Sequence, residues 1–150
     1  MAFRHRRGRT LSQEENARWS LQTMNTMKTY LDGRFETPIV NAAIVIALAA
    51  GLTSGDMTEN IFREDGLDAI RITTPVFAGD TLVATSTVLE LSDATDVAHS
   101  GRVKYRIAVA NQTGAPVLTM ERSLLIKRRS HWAARDEEFT RLNWGGPPGG

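Results

Sequence analysis

The chain has 150 residues, 41% of them hydrophobic, a formal net charge of +1 and no cysteine. One domain with a sufficient core of its own fits that size, and disulfide frameworks and thiolate chemistry are excluded, which places the protein in a reducing cytoplasm by expectation. A balanced charge without a recognition motif argues against nucleic acid, and no stretch reads as a membrane span or a targeting signal.

The first segment is crowded with Arg4, Arg6, Arg7 and Arg9 and has little to bury, so residues 1–9 are predicted as a flexible basic arm ahead of a single domain over 10–129. Ser12 followed by Glu15 forms a capping box, from which a short helix runs through Trp19, Leu21 and Met24 to end near Asn25. The stretch from Asn25 to Thr37 loses all periodicity and reads as loop, with Gly33 and Pro38 as breakers.

Pro38-Ile39-Val40-Asn41 then introduces the uncharged run Ala42 to Leu52, around which the rest of the chain is organised. Eleven residues make a helix of roughly 16 Å, too short for the ~30 Å of a bilayer core, so a buried helix is predicted. Being apolar on every side, it asks for cover on every side, which a curved sheet supplies. Asn41 can cap its start, and Gly51 and Thr53-Ser54-Gly55-Asp56 read as its end and the following turn.

No period is clear up to Gly66, and Leu67 to Ile72 suggests a strand before Pro75 and the turn Ala78-Gly79-Asp80. Three clearer strands follow: Thr81 to Leu91, Arg102 to Asn111 with alternating Val103, Tyr105, Ile107 and Val109, and Val117 to Lys127. Gln112 to Pro116 is a tight hairpin and Ser92 to Gly101 a longer one, so the second half is an antiparallel meander. Residues 130–150 form a C-terminal extension, with a short charged helix from about His131 to Leu142 and a Gly/Pro tail. The fold class is α+β, a curved antiparallel sheet wrapped around one helix, and an open sheet edge makes a homo-oligomer, a dimer or a dimer of dimers, the default.

This order of elements resembles the hot-dog fold, and three stretches resemble the MaoC-like dehydratase family, which contains the R-specific enoyl-CoA hydratases. They are Phe35-Glu36-Thr37-Pro38-Ile39-Val40-Asn41, the Leu67 to Ile72 strand with Asp68 and Arg71, and Pro75-Val76-Phe77-Ala78-Gly79-Asp80-Thr81-Leu82. The resemblance covers about Arg9 to Arg129. It implies addition or removal of water across an unsaturated acyl thioester carried on coenzyme A or an acyl carrier protein, with no cofactor or metal. Such chemistry needs a base for water, an acid for the α-carbon and amide donors for the thioester oxygen. The family's donors lie at the start of the central helix, here the amides of Ala42 and Ala43 beside Asn41.

The family's acid/base pair sits in an Asp-x-Asn-Pro-x-His hexapeptide, and the matching positions read Asn25-Thr26-Met27-Lys28-Thr29-Tyr30. Asn25 replaces the aspartate and can orient water without accepting a proton. Tyr30 replaces the histidine; a phenol titrates near ~10, so it serves as a donor at neutral pH. Asp32 is the best nearby substitute for the base, its other reading being a turn carboxylate before Gly33, and Glu36 is a poorer one. Asn41 is a helix cap as readily as a pocket residue. Asp56 and Asp80 read as structural, while His5, His99 and His131 lack partners at metal-ligand spacing. Lys127, Arg128 and Arg129 are either a solvated strand end or a site for the phosphates of coenzyme A.

Two functions of different class follow. One is a hydratase or dehydratase on an acyl thioester or a related specialised metabolite, using Tyr30, Asn25 and Asp32. The other is a non-catalytic hot-dog protein that binds an acyl thioester or small ligand, as the inactive partner of a catalytic subunit. An isomerase or cyclase guided by Tyr30 and Asp32 is a further alternative.

Overall fold

The structure, a computed structural model, describes residues 2–31 and 38–131. Strand β1 (Ala2–Thr10) is followed by helix α1 (Gln13–Gln22), a helical turn α2 (Lys28–Leu31) and the central helix α3 (Ala42–Met57). Strands β2 (Ile61–Ile72), β3 (Thr81–Asp93), β4 (Ser100–Ala110) and β5 (Pro116–Lys127) follow, and the described chain ends in a 3-10 turn over Arg129–His131. One five-stranded antiparallel sheet has the order β1-β3-β4-β5-β2. This is the hot-dog arrangement expected from the sequence: a meander of three long strands, flanked by one earlier strand on each side, around a helix.

Period-two alternation decides which face of the sheet is inside. Val103, Tyr105, Ile107 and Val109 of β4 stand opposite Leu124, Arg122, Met120 and Leu118 of β5. Together with Leu82 and Ala84 of β3 they form the buried face. Helix α3 lies against β1, β3 and β4 and contributes Ile44, Val45, Ala49 and Leu52 to the same core. Each of the three larger side chains adds about 1.5–3 kcal/mol by leaving water. Register breaks in β2 at Ile61/Arg63, Glu64/Gly66 and Asp68/Arg71 bend that edge strand around the core.

Four expectations are corrected. The basic arm expected over 1–9 is a strand in its described part: Ala2–Thr10 pairs with β3, and His5, 2% exposed, is turned inward where the register breaks between Arg4 and Gly8. Its Nδ1 bonds Asp56 Oδ2 at 2.7 Å and its Nε2 bonds Ser86 Oγ at 2.7 Å, so the strand is tied to both the end of α3 and the sheet. Secondly, α3 runs past Gly51 to Met57. The Thr53 and Ser54 hydroxyls donate back to the Ala50 and Gly51 carbonyls, and the helix ends where the Thr58 amide donates to Ser54.

Thirdly, α3 is not covered all round: Ala43, Ala47, Gly51 and Gly55 make an exposed stripe at four-residue spacing. Fourthly, α1 has the predicted capping box but ends at Gln22, short of Asn25; it buries Asn16 and Ser20, while Trp19 and Leu21 are exposed. The segment before Gly66, which has no legible period, is the first half of β2. The helix and tail expected beyond His131 lie outside the described residues.

Candidate active site

A cavity of about 290 Å3 opens where α2, the start of α3 and the end of β2 meet. Ile39, Val40 and Val45 form one wall, Ile72, Pro75 and Val76 another, and Tyr30, Ala42, Thr73 and Thr74 complete it. The walls are joined by backbone bonds: the Val40 amide donates to Val76 at 2.8 Å, the Ala78 amide to Pro38 at 3.2 Å, and Ile39 bridges Phe77. The turn below is set by Gly79 at φ 98, a left-handed value glycine adopts freely, and by Asp80, whose carboxylate accepts from the Phe77 amide and from Gln112.

Asn41, 2% exposed, caps α3. Its Oδ1 accepts the Ala43 amide at 3.0 Å and its Nδ2 donates to Ser20 Oγ at 3.3 Å. The Ala43 amide is thus committed to the cap, and the expected pair of oxyanion donors reduces to Ala42, which lines the cavity at the positive end of the helix. Ahead of the cap, the Asn41 amide donates to Asn16 Oδ1 at 2.9 Å, while Asn16 Nδ2 donates to Ile39 O at 3.0 Å and to Tyr30 O at 3.4 Å. Gln13 Nε2 reaches the same Tyr30 carbonyl at 2.8 Å.

Of the residues singled out in the sequence, the structure brings Tyr30 and Ala42 to one cavity, with Asn41 directly behind. Asn25 is not among the residues lining it. Its amide closes the end of α1 by donating to Ser20 O at 2.8 Å, next to Met24 at φ 58. Asp32 and Glu36 lie outside the described residues. Sequence reasoning missed Asn16 and Thr74. The only available signal for the first was that Asn16 and Ser20 share a helix face at four-residue spacing.

The cations at the end of β5 are not among the residues that line this cavity. Arg128 is held by Asp93 and by the Ser100 carbonyl, and Lys127 lies over the Phe62 ring at 5.8 Å. A groove of about 370 Å3 runs between them, Arg102 and Leu91. Thr73, at the cavity, donates its amide to Val117, and β5 runs ten residues from there to Lys127, roughly 33 Å at about 3.3 Å per residue. This cluster and the cavity thus stand near opposite ends of β5.

Residues 1–128 match the family model described as mesaconyl-CoA hydratase. No curated protein matches the chain. Among solved structures, the monoamine oxidase regulatory protein from Archaeoglobus fulgius is similar at 26% identity and a TM-score of 0.75, over 85% of this chain and 89% of that one. The MaoC-like dehydratase from Rhodospirillum rubrum shares the fold at 16% identity and a TM-score of 0.74, over 86% and 92%. The (R)-hydratase from A. caviae does so at 22% and 0.66, over 83% and 92%. With a family model covering nearly the whole domain and the hot-dog architecture in place, the chain belongs to the mesaconyl-CoA hydratase family of MaoC-like dehydratases.

Proposed function

We propose that the protein hydrates, or in reverse dehydrates, a short unsaturated acyl thioester carried on coenzyme A or an acyl carrier protein. The observation that carries this reading is the apolar cavity in which Tyr30 and the first residue of α3 meet. Aliphatic walls suit an acyl chain, and the helix start supplies an amide and a positive dipole where charge builds on the thioester oxygen. In the forward direction the water oxygen bonds to the β-carbon, a proton is added at the α-carbon and one proton leaves the water. Asp32, two residues on from Tyr30, accepts the proton that leaves the water, Tyr30 donates one to the α-carbon, and passage of the accepted proton from Asp32 to Tyr30 restores both groups. The working unit is a homodimer: β2 is an edge strand that leaves Phe62, Leu67, Ile70 and Ile72 exposed, a surface that pairing with a second copy buries.

The test is loss of the conjugated enoyl absorbance when purified protein meets a short trans-2-enoyl-CoA. Turnover by the parent and its loss in Tyr30→Phe is the expected result. Equal turnover in the two proteins would remove Tyr30 from the chemistry.

A binding function is the second reading, favoured by the Ala43 amide being committed to Asn41 and by Asn25 lying away from the cavity. It expects saturable thioester binding by calorimetry with no turnover.

A further inference from the structure

Asn16 is 1% exposed and belongs to neither the apolar core nor the cavity lining, yet every polar atom of its side chain is engaged. Its Nδ2 faces three acceptors, Ile39 O at 3.0 Å, Gln13 Oε1 at 3.1 Å and Tyr30 O at 3.4 Å, while its Oδ1 accepts the Asn41 amide at 2.9 Å. Tyr30 and Ile39 line the cavity, and Asn41 is the cap immediately before Ala42. One carboxamide therefore holds backbone groups from both segments that carry the proposed chemistry.

We infer, on the hydration reading above, that Asn16 is a positioning residue for catalysis: it sets the distance between Tyr30 and the Ala42 amide. The alternative is that Asn16 merely satisfies buried backbone. Packing already holds α3 through Ile44, Val45 and Leu52. Tyr30, by contrast, sits on a four-residue helical turn that buries none of its residues. Among the described residues, its tethers to α1 are the bonds from Asn16 and Gln13 to its carbonyl. Without Asn16, α3 keeps its place while Tyr30 and the helix start lose their common reference. Displacement of a reacting group by about 1 Å is enough for a rate loss on the order of 100-fold.

Asn16→Asp is the most informative variant. It keeps the shape and the acceptor for the Asn41 amide, but as a carboxylate it turns an acceptor toward the Ile39 and Tyr30 carbonyls. Once protonated, it donates there again.

The experiment measures kcat and KM for hydration of a short enoyl-CoA by the parent, Asn16→Ala, Asn16→Asp, Gln13→Ala and Ser86→Ala, each normalised to folded protein. Ser86, buried with His5 beside the far end of α3, controls for a general loss of stability. The expected result is a 10- to 100-fold fall in kcat for Asn16→Ala with KM within about threefold of the parent, a smaller fall for Gln13→Ala and parental kcat for Ser86→Ala. Asn16→Asp regains kcat relative to the parent as the pH falls from 7 to 5.

A kcat within twofold of the parent in folded Asn16→Ala overturns the inference, as does an Asn16→Asp profile that keeps the parental shape. If Asn16→Ala does not fold, Gln13→Ala and Asn16→Asp decide by the same criteria. The two levels are separable: loss of activity in Tyr30→Phe with none in the Asn16 variants defeats the positioning role alone, full activity in Tyr30→Phe removes Tyr30 from the chemistry and defeats the inference with it, and absence of turnover by the parent defeats the hydration reading and the inference together.

Discussion

Replacing His5 by alanine tests whether the basic N-terminal segment is a structural strand. The side chain is 2% exposed and bonds Asp56 and Ser86, each at 2.7 Å. Its loss removes two hydrogen bonds worth about 0.5–1.5 kcal/mol each and leaves the hydroxyl of Ser86, a residue 3% exposed, with an unmade bond costing about 1–3 kcal/mol. The Asp56 end adds little because that carboxylate is 45% exposed and regains water. The void left by the imidazole adds to the cost. A total near 3 kcal/mol follows, which for a domain of this size lowers Tm by roughly 6–12 °C, at about 2–4 °C per kcal/mol. Calorimetry at fixed protein concentration measures this, since self-association makes Tm concentration-dependent. Amide exchange should also show β1 opening while β4 stays protected. A Tm loss under about 2 °C with β1 still protected would refute the reasoning.

Other consequences are as direct. Gly51→Ala should raise stability by about 0.5–1 kcal/mol, because the added methyl meets nothing within 4 Å and glycine is a poor helix former; a fall in Tm, measured at a concentration where the protein self-associates, would show that a second copy packs on this stripe. Glu64→Ala should cost about 2–3 kcal/mol by denaturant titration, since it strips both carboxylate bonds from Arg122, which is 7% exposed and then keeps, among the described residues, Tyr105; a cost below about 1 kcal/mol contradicts this. The Glu15 carboxyl is held below its usual range, first by the Ser12 amide of the capping box and then by Arg9. A lowered folded-state pKa contributes stability above the unfolded value of about 4.5 and loses it as the pH falls through the folded one. The stability gap between the parent and Glu15→Gln should therefore be widest well above pH 4.5 and narrow as the pH falls below it; a gap as wide at pH 3 as at pH 7 rules this out.

The parts of the fold that were legible depend on neighbours within a few residues. Ser12 and Glu15 are three apart and form the predicted box; Val103, Tyr105, Ile107 and Val109 repeat every second residue and face the core; Gly114 sits at φ 83 in the predicted hairpin. The start of α3 was legible too, because an asparagine before an uncharged run is a local signal. Its end was not: Gly51, Thr53, Ser54 and Gly55 read as a turn until hydroxyl back-bonds let the helix continue.

The candidate site divides along the same line. From the sequence by itself came the helix start capped by Asn41 and, from the family resemblance, the expectation that Tyr30 stands where that family carries a histidine. Only the tertiary structure decided that the Ala43 amide belongs to Asn41, that Asn25 closes α1 and that Asn16 joins both walls of the cavity. It also decided that a run of arginines becomes a strand, through a histidine whose partners are 51 and 81 residues away. The physical reason is range. Caps, turns and alternation are settled by groups a few residues apart, whereas a buried polar side chain must find partners wherever the folded chain brings them, and its sequence neighbours carry no record of which those are.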